Sequence, residues 1–303
     1  MAIDLDRLMS WPVPEGRQTL TSKDCILYAL GVGLGADPTD ERQLRFLYEK
    51  DLRALPTMAA VLAYPGFWQQ DPALGLDWIR LLHAEQAVEI HRPLPVAGTL
   101  VGRTRVTGVV DKGAAKGALL YQERRVEDES GNRICTVSMT SFCRGDGGFG
   151  GPSGPVPEPA TVPERTPDVV CDLPTLPQAA LIYRLSGDLN PLHADPAVAR
   201  SAGFERPILH GLCTFGVAGH AVLASCCEYD PDAIRSIRAR FTAPVYPGET
   251  LRTEMWIEGP DDIRFRTRVV GRDVVALNNG QVRTSAPVRT MASAPAAGSA
   301  ADA

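Results

Sequence analysis

The sequence predicts an α+β protein made of two similar units, each a curled antiparallel sheet wrapped on one helix. Two observations lead to this fold class. In each half of the chain, one apolar stretch of helical character is followed by consecutive segments of alternating, β-branched residues, which are typical of strands with short connections. Short sequences also recur about half a chain apart, which indicates an internal duplication.

Two pairs of segments carry this duplication. Residues 93–100 read PLPVAGTL and residues 244–251 read PVYPGETL, and each precedes an alternating segment. Residues 27–31 (LYALG) resemble residues 182–186 (IYRLS) in the same way. Because both pairs have nearly the same separation along the chain, a single duplicated unit accounts for them.

The predicted elements follow the same order in both halves. The helical stretches lie at residues 58–68 and 211–226. Alternation predicts strands at residues 86–91, 100–110, 117–127 and 133–144 in the first half, and at residues 233–241, 251–259, 262–271 and 273–284 in the second.

A segment rich in glycine and proline divides the two halves. Residues 145–167 read GDGGFGGPSGPVPEPATVPERTP, and this density of Gly and Pro opposes both a helix and an inner strand. We therefore expect an N-terminal unit at residues 1–144, a linker at 145–170 and a C-terminal unit at 171–290. Residues 291–303 are mostly Ala, Ser, Pro and Gly, so we expect a frayed tail there.

Composition excludes several classes of protein. Of the 303 residues, 44% are hydrophobic and 22% are charged, which supports packed domains. The 31 Lys and Arg residues are outnumbered by 36 Asp and Glu, so the chain lacks the basic balance of a nucleic-acid binder. The seven cysteines form no C-x-x-C pair, which predicts reduced thiols and no zinc site.

Targeting and membrane signals are also weak. The N-terminus has no apolar signal region and the C-terminus is not a peroxisomal tripeptide, so we expect a cytoplasmic protein. Residues 207–227 contain no Asp, Glu, Lys or Arg, but they include two histidines and three glycines. This mild hydrophobicity favours a helix buried under a large sheet rather than a membrane span.

The densest polar cluster lies between Asp188 and His193. Gly187 and Pro191 interrupt regular structure, which places both side chains on one tight loop. A carboxylate and an imidazole that face one point can hold a water, one taking its proton while the other supplies a proton elsewhere. The same residue types also form Asx turns and helix caps, so composition alone leaves both interpretations open.

A second candidate for chemistry is the start of the apolar helix at Gly211. The first N–H groups of a helix have no partner within it, and the helix dipole adds positive potential there. Because glycine lets a ligand approach the backbone closely, this end can hold the oxygen of a thioester carbonyl. The alternative is that Gly211 only eases helix packing. The preceding His210 is expected to be a structural hydrogen-bonding residue.

These two segments resemble the R-specific enoyl-CoA hydratases of the hydratase 2 type, including the hydratase region of peroxisomal multifunctional enzyme type 2, and MaoC-like proteins generally. The resemblance extends over nearly the whole chain. Its landmarks are the loop at residues 183–193, the segment at 207–216, and the shorter motifs LLHAEQ (81–86), DKG (111–113), GGFGG (147–151) and ARFTAPVYPG (239–248).

The resemblance implies a double hotdog fold and the reversible hydration of trans-2-enoyl-CoA to (3R)-3-hydroxyacyl-CoA in acyl-CoA metabolism. It implies no metal and no bound cofactor, because coenzyme A arrives as part of the substrate, and it suggests a homodimer. The catalytic residues that it implies are Asp188, His193, Asn190 and Gly211. The substrate-binding residues that it implies are His83, Ala84, Lys112, Leu189, Pro191, Leu192 and Phe241. Ala84 departs from the family pattern, which usually has glycine at that position.

The two halves are expected to differ in function. Aligning Tyr28 with Tyr183 places Gly33 opposite Asp188, and no histidine lies near Gly33. One active site per chain is therefore expected, with a first half that binds the acyl-CoA without catalysing its reaction. The alternatives are a hotdog acyl-CoA thioesterase and a non-catalytic acyl-CoA-binding module. The intact loop with Asp188 and His193 favours the hydratase.

Overall fold

Antiparallel strands dominate residues 3–290, the part of the chain that this computed structural model describes. They are β1 (Gly16–Leu20), β2 (Leu81–Ile90), β3 (Gly98–Asp111), β4 (Ala118–Asp128), β5 (Arg133–Cys143), β6 (Val169–Pro174), β7 (Ile234–Phe241), β8 (Thr250–Gly259), β9 (Asp262–Val269) and β10 (Val274–Thr284). Hydrogen bonds join them into one sheet in the order β1-β3-β4-β5-β2-β7-β10-β9-β8-β6.

The sheet order repeats itself across the centre. The first five strands form one half of the sheet and the last five form the other. Counted from the outer edge inward, the two halves have the same order, β1-β3-β4-β5-β2 and β6-β8-β9-β10-β7, and β2 pairs with β7 at the junction. This repeat agrees with the duplication in the sequence, and the predicted double hotdog fold is confirmed.

Helices are mostly short. The α-helices are α1 (Leu5–Met9), α2 (Ser22–Gly31), α3 (Glu41–Leu44), α4 (Ala179–Tyr183), α5 (Pro196–Ser201) and α6 (Gly211–Cys226). Single 3-10 turns lie at Pro56–Ala60, Trp68–Gln70, Pro72–Leu74, Trp78–Arg80, Arg184–Ser186, Pro191–His193 and Pro231–Ala233. Within the described residues, no helix is both long enough and apolar enough to cross a bilayer.

The predicted central helix of the second half is confirmed, since α6 has the predicted bounds. It packs against β6, β7, β8 and β10 on the concave face of its half-sheet. All residues from Cys213 to Leu223 are buried. Its apolar surface on every side therefore reflects enclosure by the sheet rather than by lipid.

The predicted helix at residues 58–68 is wrong. The chain forms the 3-10 turn Pro56–Ala60, and Ala63 and Gly66 then adopt positive φ angles of 47° and 82°. Pro65 has no N–H and restricts the residue before it, so a helix cannot continue through this point. Within residues 3–144, the first half therefore lacks a helix equivalent to α6.

Two edge strands were not predicted. β1 and β6 pair with only one neighbour each, through β3 and β8. At five and six residues, these strands are too short for alternation to distinguish them from loops. β6 begins at Val169, so the predicted linker ends earlier than residue 170. β2 begins at Leu81, ahead of the predicted residue 86.

Much of the Gly/Pro-rich segment is tied to the end of β3. The Asp111 carboxylate accepts hydrogen bonds from the N–H groups of Gly113, Gly148 and Gly150 at 2.7–2.9 Å. The Asp111 N–H donates to the Pro152 carbonyl at 2.8 Å. This arrangement connects two of the sequence landmarks. The division into units 1–144 and 171–290 stays a prediction, and the predicted frayed tail lies outside the described residues.

Gly219 of α6 tests how tightly the two halves pack. A methyl group at Gly219 would lie 2.3 Å from Thr57 Cγ2, and Thr57 is buried in the first-half 3-10 turn. We expect Gly219→Val to lower the free energy of unfolding by about 1–3 kcal/mol, because overpacking strains a filled core. Urea unfolding measures this. Gly271→Val is the control, since Gly271 has no neighbour within 4 Å of an added methyl. Equal stability of the two variants would contradict the prediction.

Candidate active site

The loop after α4 places Asp188 and His193 through a set of local turns. Gly187 has a φ of 118°, a conformation that only glycine adopts readily. The Asn190 N–H donates to Asp188 Oδ1 at 3.1 Å, and Asn190 Oδ1 accepts from the Leu192 N–H at 3.0 Å. These two Asx-type bonds fix the backbone between Asp188 and His193.

His193 is a buried, neutral imidazole with one free nitrogen. Its Nδ1 lies 2.9 Å from the Ile208 carbonyl oxygen, which can only accept, so Nδ1 carries the proton. Burial lowers the pKa of His193 below its usual value of 6.5. Nε2 therefore presents a lone pair at neutral pH, as a general base requires.

His210 stacks on His193 and supports the loop. The two ring centroids are 3.7 Å apart with an angle of 27° between the planes. His210 Nε2 donates to the Asp188 carbonyl oxygen at 3.1 Å. Burial, followed by the neighbouring His193, lowers the pKa of His210 to about 4. Its Nδ1 is buried and has no hydrogen-bond partner in the part of the chain described.

Asp188, His193 and His210 together resemble a metal-ligand set in composition. One donor atom of each lies within 4.8 Å of the other two. Two ring nitrogens, His193 Nδ1 and His210 Nε2, already donate to the backbone carbonyls of Ile208 and Asp188. The donor atoms left to face a ligand are His193 Nε2, His210 Nδ1 and the Asp188 carboxylate, and such a set can hold a metal ion or a water.

Gly211 presents an unused backbone N–H beside this pair. It directly follows His210 at the start of α6, and no side chain caps that end of the helix. Among the described hydrogen bonds, the Gly211 N–H has no acceptor, and Gly211 itself is exposed. The Cys213 N–H already donates to the His210 carbonyl, so the Gly211 N–H at the start of this 16-residue helix is the one that favours a negative oxygen here.

Phe241 and His83 join the first half to the site. A methyl group at Gly211 would lie 3.1 Å from the Phe241 ring. The same ring meets His83 edge-on, with centroids 4.8 Å apart. Phe241 ends β7 and His83 lies near the start of β2, so the site forms where the two half-sheets pair.

His83 lies at an irregularity of β2. The pairing of β2 with β5 shifts between His83 and Glu85, which makes Ala84 the extra residue. Burial lowers the pKa of His83 to about 4, and the charge of Asp188 opposes this shift. His83 Nε2 is buried without a partner in the described part of the chain. It is therefore a donor or acceptor still open to a ligand.

The other predicted site residues make fewer described contacts with the Asp188–His193 loop or are exposed. Lys112 is exposed at the β3–β4 turn, and no described bond or ring contact links it to the Asp188 loop. Leu189 and Pro191 are exposed, and Leu192 is half-buried. The side chain of Asn190 caps the turn at Pro191–His193, which is a structural role beside the catalytic one that the resemblance implies.

Sequence reasoning missed Tyr64 and Arg124. Tyr64 is 42% exposed, and partial burial raises its pKa to about 12, with opposing contributions from Arg124 and Asp188. The Arg124 guanidinium carbon lies 5.5 Å from the centre of the Tyr64 ring. The signal for Arg124 was present, because it falls on the inward phase of the alternating segment 117–127. Tyr64 carries no comparable sequence signal.

Two family models together match most of the chain. A family model described as the MFE-2 hydratase 2 N-terminal domain matches residues 19–145. A model described as a MaoC like domain matches residues 158–279.

Individual relatives agree with these models. The chain is 42% identical over 296 residues to "Enoyl-CoA hydratase 2, peroxisomal" of Arabidopsis thaliana, covering 90% of this chain and 93% of the relative. It is 44% identical over 272 residues to "3-hydroxyacyl-thioester dehydratase Y" of Mycobacterium tuberculosis, covering 86% and 92%. A crystal structure of a MaoC-like dehydratase from Phytophthora capsici superposes with a TM-score of 0.82 at 37% identity, covering 93% and 98%.

Proposed function

The chain belongs to the MaoC-like, hydratase 2 family, and on that basis we propose that it hydrates trans-2-enoyl-CoA reversibly to (3R)-3-hydroxyacyl-CoA. The observation that carries this proposal is the placement of Asp188 and His193 beside the free N–H of Gly211. A pair that handles the proton of a water and a donor for the thioester oxygen are the two parts that this addition requires.

The proposed reaction begins with a water held between Asp188 and His193. His193 Nε2 takes one proton, because its lone pair is free and the ring is neutral. The water oxygen forms the new bond to C3, and the C2–C3 π electrons move toward the thioester carbonyl. The pair then returns a proton to C2 from the same face, so its protonation state is restored and one water has been added.

Gly211 is proposed to stabilise the charge that develops on the thioester oxygen. That oxygen becomes enolate-like while C2 awaits its proton. The Gly211 N–H can donate to it, and the N-terminal end of α6 adds positive potential. Phe241 borders this position and His83 stands behind Phe241. The sequence-derived roles of these residues in substrate binding are part of the same proposal.

The decisive experiment is turnover of trans-2-enoyl-CoA substrates of graded chain length, with analysis of product stereochemistry. We expect loss of the conjugated double bond and a (3R)-hydroxy product. Release of free coenzyme A thiol would instead support the thioesterase alternative. Binding of all substrates without turnover would support the non-catalytic module.

A further prediction concerns how kcat/KM falls at low pH. His193 must be neutral to accept a proton, and burial lowers its pKa below 6.5. We therefore expect kcat/KM to hold as pH falls to 6.5 and to decline only at lower pH. Initial rates in buffers of constant ionic strength measure this, after a check that the fold survives. A midpoint above pH 6.5 would contradict the assignment of His193 as the base.

Lys112 is proposed to contact a phosphate of coenzyme A. We expect Lys112→Ala to raise KM with little change in kcat, because such a contact is similar in the ground and transition states. Added salt should reduce the difference from the unaltered enzyme, since exposed charges are screened. Lys116→Ala is the control, as Lys116 is exposed in the same turn. A fall in kcat at unchanged KM would contradict this role.

We propose a homodimer, a cytoplasmic location and a reaction that needs neither a metal nor a bound cofactor. Family membership supports the first and third of these. The location rests on the sequence alone, and the Arabidopsis relative is named as peroxisomal.

A further inference from the structure

Arg124 is a buried cation on the concave face of the first half-sheet. Burial alternates along β4, and Arg124 falls on the buried phase with an exposed fraction of 7%. Its neighbours on that face are Gln122 on one side and Val126 on the other. Val126 belongs to the main apolar core and Leu120 to a second cluster, so Gln122 and Arg124 form a polar interval between two apolar regions.

The guanidinium of Arg124 has no anionic partner among the described residues. Its Nη2 donates to the Ala60 carbonyl at 2.7 Å, and the Tyr64 ring lies beside it. Its Nε is buried and unpartnered. Burial lowers the pKa of Arg124 to about 10, yet the group stays charged at neutral pH. A buried charge without a counter-ion is costly, so a bound anion would relieve a real deficit.

Arg124 and Asp188 both lie near Tyr64 and His83. The charges of Arg124 and Asp188 act in opposite directions on the pKa values of both Tyr64 and His83. Tyr64 and His83 therefore lie within electrostatic range of both Asp188, on the proposed catalytic loop, and Arg124, in the first half.

Two further unsatisfied polar groups, on Ser141 and His83, lie four residues along the strand register from Arg124. Ser141 of β5 pairs with His83 of β2, and Val137, four residues earlier, pairs with Arg124. That offset corresponds to roughly 13 Å along a strand. Ser141 Oγ and His83 Nε2 are both buried and unpartnered in the described residues. A wholly hydrocarbon chain would leave these groups and Arg124 unsatisfied.

We propose that Arg124 is a specificity-determining residue that binds a carboxylate at the far end of the acyl chain. The substrate class that this implies is enoyl-CoA thioesters with an ω-carboxylate, and the inference rests on the proposed hydratase function. The planar guanidinium suits bidentate binding of a carboxylate, and the Tyr64 ring lies 5.5 Å from its central carbon.

The experiment compares ω-carboxy and ω-methyl enoyl-CoA substrates of equal chain length over a range of lengths. The unaltered enzyme should prefer the ω-carboxy form at one or more lengths in kcat/KM. Arg124→Met should reduce this preference about 10- to 100-fold, the effect of losing a charge-assisted hydrogen bond. Arg124→Lys should retain part of it. Arg125→Met is the control, because Arg125 lies on the opposite face of β4 and pairs with Glu123.

Two measurements separate this inference from the proposed reaction. Binding of saturated ω-carboxy and ω-methyl acyl-CoA, measured by calorimetry, reports on the pocket without any chemistry. Turnover of crotonyl-CoA by the unaltered enzyme reports on the reaction without an ω-group. If the unaltered protein shows no ω-carboxy preference in either binding or turnover at any length, the inference fails, whether or not Arg124→Met folds. An equal loss on both substrate types would assign Arg124 only to support of the Pro56–Ala60 turn.

Discussion

Replacement of His193 by alanine is expected to lower kcat by about 10²- to 10⁴-fold, which is the usual contribution of a positioned acid or base. The variant removes Nε2, the free nitrogen opposite the Nδ1–H bond to the Ile208 carbonyl. Asp188→Asn should have an effect of the same order, because the amide keeps the size of the carboxylate but cannot accept the shared proton. Hydration of crotonyl-CoA, followed by loss of its conjugated absorbance, measures both.

The effects of the two substitutions on kcat should not be additive. If Asp188 and His193 act on one water, the double variant should be about as slow as the slower single variant, since removing either partner disables the unit. His91→Ala is the matched control, because His91 is an exposed histidine whose described partners are Thr136 and Glu89. Near-normal turnover by a folded His193→Ala or Asp188→Asn protein would refute the mechanism.

The parts of the fold that the sequence predicted are those governed by local periodicity. Strands β3 to β5 and β7 to β10 carry alternation that survives because one face is buried and the other is not. Helix α6 is predictable because its apolar run is long and, within 211–226, contains no proline. The small apolar residues at 58–68 predict a first-half helix in the same way, but Pro65 interrupts it.

The active-site loop was predictable for a different reason. Asp188 and His193 are close in sequence, and Gly187 and Pro191 restrict the chain between them, so local geometry alone brings them together. The proximity of Asp188 and His193 to His83 and Phe241 depends instead on the pairing of β2 with β7. This pairing joins residues about 150 positions apart. No local pattern specifies that register, and only the family resemblance suggested those positions.

Some features of the site arise only from tertiary packing. The stacking of His210 on His193 depends on how the segment before α6 crosses the loop. The polar interval at Gln122 and Arg124 has meaning only once the apolar clusters on either side are known. An arginine at an inward position could have been noted from the alternation, but its lack of a counter-ion could not.

The role of Gly211 can be isolated with two substitutions at one position. Gly211 is the first residue of α6, where proline is tolerated, and His210 before it has φ −57° and ψ 135°, a conformation that suits a residue preceding proline. Gly211→Pro therefore removes the N–H with little demand on the helix. Gly211→Ala keeps the N–H but adds the same Cβ, which would lie 3.1 Å from the Phe241 ring.

We expect Gly211→Ala to lose activity modestly, because the Phe241 ring must shift by a few tenths of an ångström to accept the methyl group. Gly211→Pro should lose a further factor of about 10²–10³ in kcat, the typical cost of removing one oxyanion donor. Crotonyl-CoA hydration measures both, with thermal unfolding as a check that α6 remains intact. Both variants carry the added Cβ, so the difference between them reports on the lost N–H together with the Cγ and Cδ atoms that proline alone adds. If proline and alanine reduce kcat equally, the N–H has no part in stabilising the thioester oxygen, and Gly211 serves only to let Phe241 pack closely.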